Sequence, residues 1–244
     1  MQSPIQHTPN LLAVRKLLLI ITIFLSYIAT SAENKSERPD LEQIRLATLD
    51  ENSPYYYPKL MRKFMSNDTV MGYDHFKHLY YGVLFQEDYD PYRPPYNEEE
   101  LQRLTPLYSQ SKHTYRQRKE MLEYAQAAIA DNPLDLVQLK NLIYVYEQNG
   151  KVNLAKIWKN KLNHLLEVIG SSGTGTSQDA AWYIVYPRHE FDFLNITGLS
   201  VQGTEFVSPY YEKVTVPGKD GAVSYFFNLQ PVLEQYYRKH PGEL

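Results

Sequence analysis

The 244-residue sequence contains no cysteine. The protein therefore has no disulfide bond, no thiolate to offer a metal ion and no N-terminal cysteine to carry a lipid. A chain of this length can bury a hydrophobic core that is large enough to fold without disulfides. Its composition, with 43% hydrophobic and 22% charged residues, is that of an ordinary globular protein.

Long hydrophobic runs are also scarce. One mostly apolar, uncharged run spans residues 17–29, which is 13 residues, whereas a helix that crosses a membrane needs about 20. Arg15 and Lys16 precede the run, and Thr-Ser-Ala follows it at 30–32. This pattern predicts a secretory signal peptide over residues 1–32, with a retained anchor as the weaker alternative. We therefore expect an exported protein, periplasmic or extracellular, with no membrane span once the signal is cleaved.

Positive charge is in deficit. Cleavage of the signal removes Arg15 and Lys16 and leaves 23 basic and 28 acidic side chains, a net charge of −5. Nucleic acid is therefore not an expected partner. The sequence has no cofactor signature, and we expect no cofactor. For an exported chain of this size, the lack of disulfides fits a bacterial periplasm.

Helical spacing extends over residues 40–169. Asp40 and Ser53 are typical helix N-caps, and the proline that follows Ser53 suits the first turn of a helix. Asn97 precedes three glutamates, which favours another helix start, and Gly82 is placed to end a helix. Three long helices are predicted at about 111–131, 134–149 and 152–169.

The last two of these long helices resemble a tetratricopeptide helical hairpin, over about one and a half repeats. The resemblance lies in Asp-Asn-Pro at 131–133, in Tyr146 and Gly150 at the end of one helix, and in Ala155 and Trp158 on the next. An array of this kind normally needs about three repeats or more. We therefore interpret the helices as an antiparallel layer inside a larger domain.

Residues 85–100 have a different composition. Six acidic residues stand against the single basic residue Arg93, and three prolines exclude a continuous helix. We predict a surface loop that is held down by Tyr89, Tyr92 and Tyr96. The acidic positions lack the regular spacing of a calcium-binding loop, so a solvated face is expected.

The chain after residue 180 has mostly the pattern of strands. Residues 217–221 have the composition of a hairpin loop between two of them. Helices first and strands later predict an α+β fold, with a mainly antiparallel β-sheet packed on the N-terminal helical layer. The predicted strands are 182–186, 191–199, 211–216 and 222–228, and a short closing helix covers 231–237.

A glycine-rich joint connects the helical and β-rich parts. A phosphate-binding loop would need a lysine and a strand-to-helix order, and the joint has neither. We expect the helix to stop at Gly170 and a flexible crossover to follow. The functional alternative is a mobile loop, carrying Ser172 and Thr174, that closes over a ligand. We predict one domain over 33–244, with its helical part at 40–169, the joint at 170–177 and the β-rich part at 180–244.

Several motifs resemble a known family. They are Ser-Pro-Tyr-Tyr-Tyr-Pro-Lys-Leu at 53–60, Leu-Tyr-Tyr-Gly-Val-Leu-Phe-Gln at 79–86 with Tyr89 and Pro-Tyr at 91–92, Ile-Gly-Ser-Ser-Gly at 169–173, and His-Glu-Phe-Asp at 189–192. Over about residues 41–237 the chain resembles the secreted proteins of Bacteroidota catalogued as domain of unknown function 4919. The resemblance implies a bacterial exported or envelope protein, and it brings no activity, cofactor or catalytic residue.

His189, Glu190 and Asp192 are the strongest catalytic candidates, because a histidine with two carboxylates can act as a general base or bind a cation. In the extended strand predicted there, Glu190 and Asp192 share a face and His189 points away. No nucleophile motif accompanies them. Structural pairing of Glu190, by Arg188 or by a helix terminus, is the favoured interpretation. An envelope hydrolase or transferase is the alternative.

Tyrosine is abundant, with 22 residues, and its ring and hydroxyl suit contact surfaces. Our leading hypothesis is a non-catalytic protein that binds a protein or glycan partner of the cell envelope through a tyrosine-rich surface. His75 and His78 lie three residues apart on a predicted helix, but without a further ligand motif no metal site is expected. The candidate binding residues are Tyr55, Tyr56, Tyr57, Tyr80, Tyr89 and Tyr92.

Overall fold

The computed structural model of the protein describes residues 37–242. The predicted signal peptide, residues 1–32, lies outside this range. Within it, no helix combines the length and the apolar character that crossing a membrane requires.

Most of the described chain before Ser172 is helical. Side-chain caps explain several helix starts: Asp40, Thr114 and Asp135 each accept a hydrogen bond from the backbone N–H three residues on. The helices are α1 Leu41–Leu49, α2 Tyr57–Met65, α3 Tyr73–Gly82, α4 Glu98–Leu104, α5 Tyr115–Asp131, α6 Leu136–Gln148, α7 Val152–Ser171, α8 His189–Ile196 and α9 Gln230–Lys239, with 3-10 turns at Val83–Phe85 and Thr105–Ser109.

The three longest helices pack in sequence, α5 on α6 and α6 on α7. Because the connections between them are short, successive helices run antiparallel. Gly150, with φ of 68°, makes the left-handed turn that ends α6. The predicted helical layer is therefore present, and the tetratricopeptide likeness stays a prediction.

Two predicted helix boundaries differ from the prediction, one in its position and the other in its physical cause. The helix predicted to begin at Ser53 begins at Tyr57, and the Ser53 hydroxyl instead accepts from the Tyr55 N–H in the turn before it. Gly82 ends α3 as predicted, but its negative φ shows that no left-handed cap is involved. A Cβ at Gly82 would lie 2.7 Å from the Thr48 Cγ2 atom, so the glycine permits the close approach of α1 and α3.

The sheet contains four strands in the order β1-β4-β3-β2. β2, β3 and β4 pair antiparallel, while β1 pairs parallel with β4, which makes the sheet mixed. The predicted α+β fold is confirmed, as is the hairpin of its last two strands. The run predicted at 182–186 contributes only two residues, and β2 has no counterpart in the prediction. The strands are β1 Trp182–Tyr183, β2 Gly203–Val207, β3 Tyr211–Gly218 and β4 Gly221–Asn228.

The strand predicted at 191–199 is wrong, because these residues begin inside α8. Aromatic residues alternating with polar ones suggested a period of two. The buried residues instead recur at helical spacing: His189 and Glu190, then Phe193 and Leu194. Packing against the rest of the molecule outweighs the local strand propensity.

The main hydrophobic core lies between the helical layer and one face of the sheet. Val214, Val216 and Phe227 line that face and are fully buried. Tyr80 and Tyr81 of α3 are buried among them. A smaller core lies under α4 and α5, formed by Leu104, Met121, Tyr124, Ala128 and Val145.

Candidate functional site

His189 opens α8 and is completely buried. Its Nδ1 lies 2.8 Å from the Tyr80 hydroxyl and its Nε2 lies 3.1 Å from the Leu134 carbonyl oxygen. A neutral ring satisfies both contacts, with Nε2–H donating to the carbonyl and Nδ1 accepting from the hydroxyl. Burial, aided by the charge of Arg188, lowers the pKa of His189 to about 3. The neutral His189 side chain therefore connects α8 to α3 and to the turn before α6. Neither of its nitrogens is available to take a proton from a substrate.

Glu190 is 1% exposed, and neither of its carboxyl oxygens has a hydrogen-bond donor among the described residues. Glu212 on β3 is the charged residue that acts most strongly on it. Burial, followed by the charge of Glu212, raises the pKa of Glu190 to about 9. At neutral pH Glu190 is therefore protonated.

Arg188 does not pair with Glu190, which corrects the structural pairing expected from the sequence. Its Nη2 lies 3.3 Å from Asp135 Oδ2, as an ion pair without hydrogen-bond alignment. Asp192 lies in the same environment, and burial together with the charge of Asp135 raises its pKa to about 7, against the opposing effect of Arg188. The Arg188 guanidinium therefore interacts with the carboxyl groups of Asp135 and Asp192. Glu190 has no hydrogen-bond donor among the described residues.

The three catalytic candidates do not converge. The His189 ring contacts Tyr80 and Leu134, and Glu190, the next residue of the helix, points about 100° away from it. Glu212 was not among the predicted site residues. In β3, alternate residues point to the same face of the sheet, so Glu212 lies on the face of Val214 and Val216. This alternation is visible in the sequence and could have predicted the position of Glu212.

The glycine-rich joint is ordered against the sheet, which corrects the expectation of a mobile loop. Helix α7 continues through Gly170 to Ser171. Ser172 is buried, and its hydroxyl accepts a hydrogen bond from the Tyr183 N–H at 2.8 Å. Thr174 is exposed, and its hydroxyl contacts that of Thr176.

Two glycines allow this close packing. A Cβ at Gly173 would lie 2.4 Å from the Ala180 carbonyl oxygen, and one at Gly175 would lie 2.6 Å from the Trp182 ring. Gly175 also has φ of 68°, and its carbonyl accepts from the Phe226 N–H. The joint is therefore an extension of the sheet edge, and its contacts are with β1 and β4.

The tyrosine candidates separate into three groups. Tyr80 and Tyr89 are buried and belong to the core, so they are not part of an exposed surface. Tyr55, Tyr56 and Tyr57 are half-buried. Tyr92 is 53% exposed, and its ring packs edge-on against Tyr236 of α9.

His75 and His78 of α3, for which no metal site is expected, make contacts within the protein. Tyr55 stacks on His78 at 3.8 Å and packs edge-on against His75. The His78 Nδ1 atom lies 2.7 Å from the Asp74 carbonyl oxygen. Within residues 37–242 there is no group of three or more histidine, aspartate and glutamate side chains that is arranged to hold a metal ion.

Lys161 of α7 is a buried cation that the sequence analysis did not single out. Its Nζ donates to the Phe64 carbonyl at the end of α2 and to the Asn67 side chain, and it lies 3.6 Å from the centre of the Trp158 ring. Burial lowers its pKa to about 8. The lysine therefore caps α2 from a neighbouring helix, which is a structural role.

An open cleft of about 640 Å³ lies between the loop before α4 and the C-terminal end of α5. Arg93 crosses it and forms an ion pair of 2.8 Å with Asp131. Tyr96 lines the cleft and is 40% exposed. We call it the proline cleft, and its lining residues are Asp88, Asp90, Arg93, Pro94, Pro95, Tyr96, Ala130 and Asp131.

The loop that forms this cleft is anchored on both sides. The Tyr89 hydroxyl donates to the Val185 carbonyl, and the Tyr124 hydroxyl donates to the Tyr96 carbonyl. Lys239 of α9 donates to the carbonyls of three loop residues, among them Tyr89. The cleft is therefore a preformed feature of the fold.

The model of the family described as domain of unknown function DUF4919 matches residues 42–238. No curated protein and no solved structure matches the chain.

Proposed function

We propose that this chain, which belongs to the DUF4919 family, is a non-catalytic binding protein whose ligand site is the proline cleft. The observation that carries the proposal is the cleft itself, with exposed aromatic and charged groups on a loop that is anchored on both sides. Its volume lies within the range of roughly 300 to 1,000 Å³ that is typical of small-ligand sites.

The chemistry of the lining favours a glycan over a protein as the partner. Carboxylates such as Asp88 and Asp90 accept hydrogen bonds from hydroxyl groups, and the Arg93 guanidinium donates to them. The Tyr96 ring offers an apolar face with a polar edge, which suits a sugar ring. A protein partner would need roughly 800 Å² of surface on each side, and its binding would depend on residues well outside the cleft.

Glycan binding is tested by calorimetric titration with fragments of bacterial envelope polysaccharides. Tyr96→Ala removes an aromatic contact worth about 1 kcal/mol, so we expect an affinity loss of roughly fivefold to tenfold. Tyr115→Ala is the matched control, because Tyr115 is 74% exposed and lies at the other end of α5, roughly 24 Å from the cleft. Equal loss in both variants, or binding only to proteins, would contradict the proposal.

We further propose that the protein is exported to the periplasm or beyond, in a bacterium of the Bacteroidota. The support is the predicted signal peptide of residues 1–32 and the family resemblance of the tyrosine motifs. Mass spectrometry of the protein purified from its host is expected to find a mature N-terminus near Glu33. A mature chain that begins at Met1 would argue for a retained anchor or for no export.

The alternative function, an envelope hydrolase or transferase, has less support. It would need a substrate to reach Glu190 and Asp192, but Glu190 is buried and neither residue lines the proline cleft. Both nitrogens of His189 are also engaged within the protein.

A further inference from the structure

The proline cleft carries more negative than positive charge. Its lining includes three carboxylates, those of Asp88, Asp90 and Asp131, and the guanidinium of Arg93. Arg93 is committed to Asp131, because its Nη2 donates to the Asp131 carboxylate at 2.8 Å and its Nη1 donates to the Asp131 carbonyl at 3.3 Å. This pair is neutral as a whole, so the negative charge of the lining comes from the other two carboxylates.

These two carboxylates differ in their contacts. The Asp90 Oδ1 atom accepts a hydrogen bond from the Tyr92 N–H at 2.9 Å, so this side chain is turned toward its own backbone. Asp88 is exposed, and its carboxylate has no hydrogen bond or ion pair within residues 37–242. Among the lining residues, Asp88 therefore has the carboxylate that is free to bind a ligand.

The backbone on both sides of Asp88 is held in place. The Lys239 ammonium of α9 donates to the Glu87 carbonyl at 2.6 Å and to the Tyr89 carbonyl at 2.7 Å. The Tyr89 side chain is buried and donates to the Val185 carbonyl. A ligand that binds the Asp88 carboxylate does not have to order this part of the loop first, which lowers the cost of binding.

We propose that Asp88 determines the specificity of the proline cleft and selects glycans that carry a free amine, such as an amino sugar without its acetyl group. The inference rests on the glycan site proposed above. A protonated amine donates a charge-assisted hydrogen bond to a carboxylate, and the Tyr96 ring can attract the same cation. An acidic sugar would bring its carboxylate to Asp88 and Asp90, and like charges at a binding site select against the wrong ligand.

The test compares two oligosaccharides that differ only at nitrogen. They are a glucosamine oligosaccharide and its N-acetylated counterpart, each titrated calorimetrically into the full chain at about pH 6, where an aliphatic amine carries its proton. We expect the amine form to bind roughly fivefold more tightly. Raising the salt from about 0.01 M to about 1 M shortens the screening length from about 30 Å to about 3 Å and should remove most of this preference.

Asp88→Asn keeps the size of the side chain and removes its charge. The variant should bind the two oligosaccharides about equally, while its affinity for the N-acetylated form stays within about twofold of that of the unmodified protein. Glu87→Gln is the matched control, since Glu87 is the preceding residue, is also exposed and does not line the cleft. This control changes the net charge by the same amount and should keep the preference for the amine.

Three results would overturn the inference: equal binding of the two forms by the unmodified protein, a preference that survives Asp88→Asn, or a preference that Glu87→Gln removes to the same extent. Binding of neither oligosaccharide would also overturn it. Tyr96→Ala separates this failure from a failure of the proposed function. If Tyr96→Ala weakens the binding of both forms but the forms bind equally, the cleft binds glycans and Asp88 does not select the amine.

Discussion

At the scale of single residues, the buried tyrosines act as hydrogen-bond donors as much as hydrophobic groups. The hydroxyls of Tyr89 and Tyr124 each donate to a backbone carbonyl of another segment, and that of Tyr80 bonds His189. A carbonyl buried in a loop has no regular strand or helix partner, and the tyrosine hydroxyl supplies one. Tyr89 and Tyr124 therefore stabilise loop segments through their hydroxyl groups.

Replacing Tyr89 by phenylalanine tests this role. The variant keeps the ring and leaves the Val185 carbonyl unsatisfied, which should lower the free energy of unfolding by roughly 1 to 3 kcal/mol. Urea denaturation measures the change. Tyr92→Phe is the control, because Tyr92 is exposed, and its effect should stay below about 0.5 kcal/mol. A neutral Tyr89→Phe would mean that water replaces the hydroxyl.

Lys161 gives a second prediction at this scale. Lys161→Met keeps the length of the side chain but leaves the Phe64 carbonyl and the Asn67 side chain without their donor, so a loss of roughly 1 to 3 kcal/mol is expected at pH 7. The exposed Lys159→Met on the same helix should be nearly neutral. The comparison is made by urea denaturation of both variants. Equal urea midpoints for the two variants would show that the free-energy cost of burying the Lys161 ammonium equals the stabilisation from its hydrogen bonds.

At the scale of elements, the glycine-rich joint depends on backbone conformation. Gly175→Ala places a Cβ against the Trp182 ring at a left-handed position, and a destabilisation of roughly 1 to 3 kcal/mol is expected. Gly203→Ala in β2 is the matched control, since a Cβ there meets no atom within 4 Å. Thermal unfolding of the two variants gives the difference. Similar melting temperatures would restore the mobile-loop interpretation.

The elements that were predicted well from the sequence are those that depend on a few neighbouring residues, such as helix caps and turns. Asp40 caps α1, Asn97 caps α4, and the turn between β3 and β4 forms where glycine and aspartate predict it. Helix α8 was missed because its aromatic residues alternate with polar ones over a short stretch. Its helical form depends on Phe193 and Leu194 reaching the core, which no local pattern encodes.

The candidate sites were predictable only in part. The sequence singled out His189 and Glu190 as catalytic candidates, and the structure places both in the interior with strongly shifted pKa values. The hydrogen bond between His189 and Tyr80 was not predicted, because residues far apart in the sequence meet only after folding. The proline cleft likewise joins the loop of Arg93 to the end of α5 at Asp131.

At the scale of the whole molecule, four ionisable groups with large pKa shifts dominate the pH dependence of stability. The folded chain keeps His189 neutral, so His189 makes stability rise from about pH 3 to about pH 6.5. Asp192 and Glu190 retain protons that the unfolded chain loses, so stability falls up to about pH 7 and about pH 9, respectively. Lys161 loses its proton early in the folded chain, which raises stability from about pH 8 to about pH 10.5.

Between pH 7 and pH 8, Asp192 lowers the stability and Lys161 raises it by similar amounts, so Glu190 accounts for the net change. The free energy of unfolding is therefore expected to fall by about 1.4 kcal/mol over this interval. Urea denaturation at the two pH values measures the fall, and Glu190→Gln should remove it. If the free energy of unfolding of Glu190→Gln falls by the same amount, the group that titrates in this interval is not Glu190.

The contact between Tyr80 and His189 affects how the chain folds during its synthesis. These residues are separated by 109 positions, and Lys239 reaches back 153 positions to Gln86. Contacts of such long range slow folding, because a large loop must close before they form. While the chain is being made, α5, α6 and α7 can assemble early, but the core stays uncovered until Phe227 of β4 has emerged. The speed of folding is therefore governed by the end of the chain, and a ribosome that stalls before β4 would leave a helical intermediate with an exposed, aggregation-prone face.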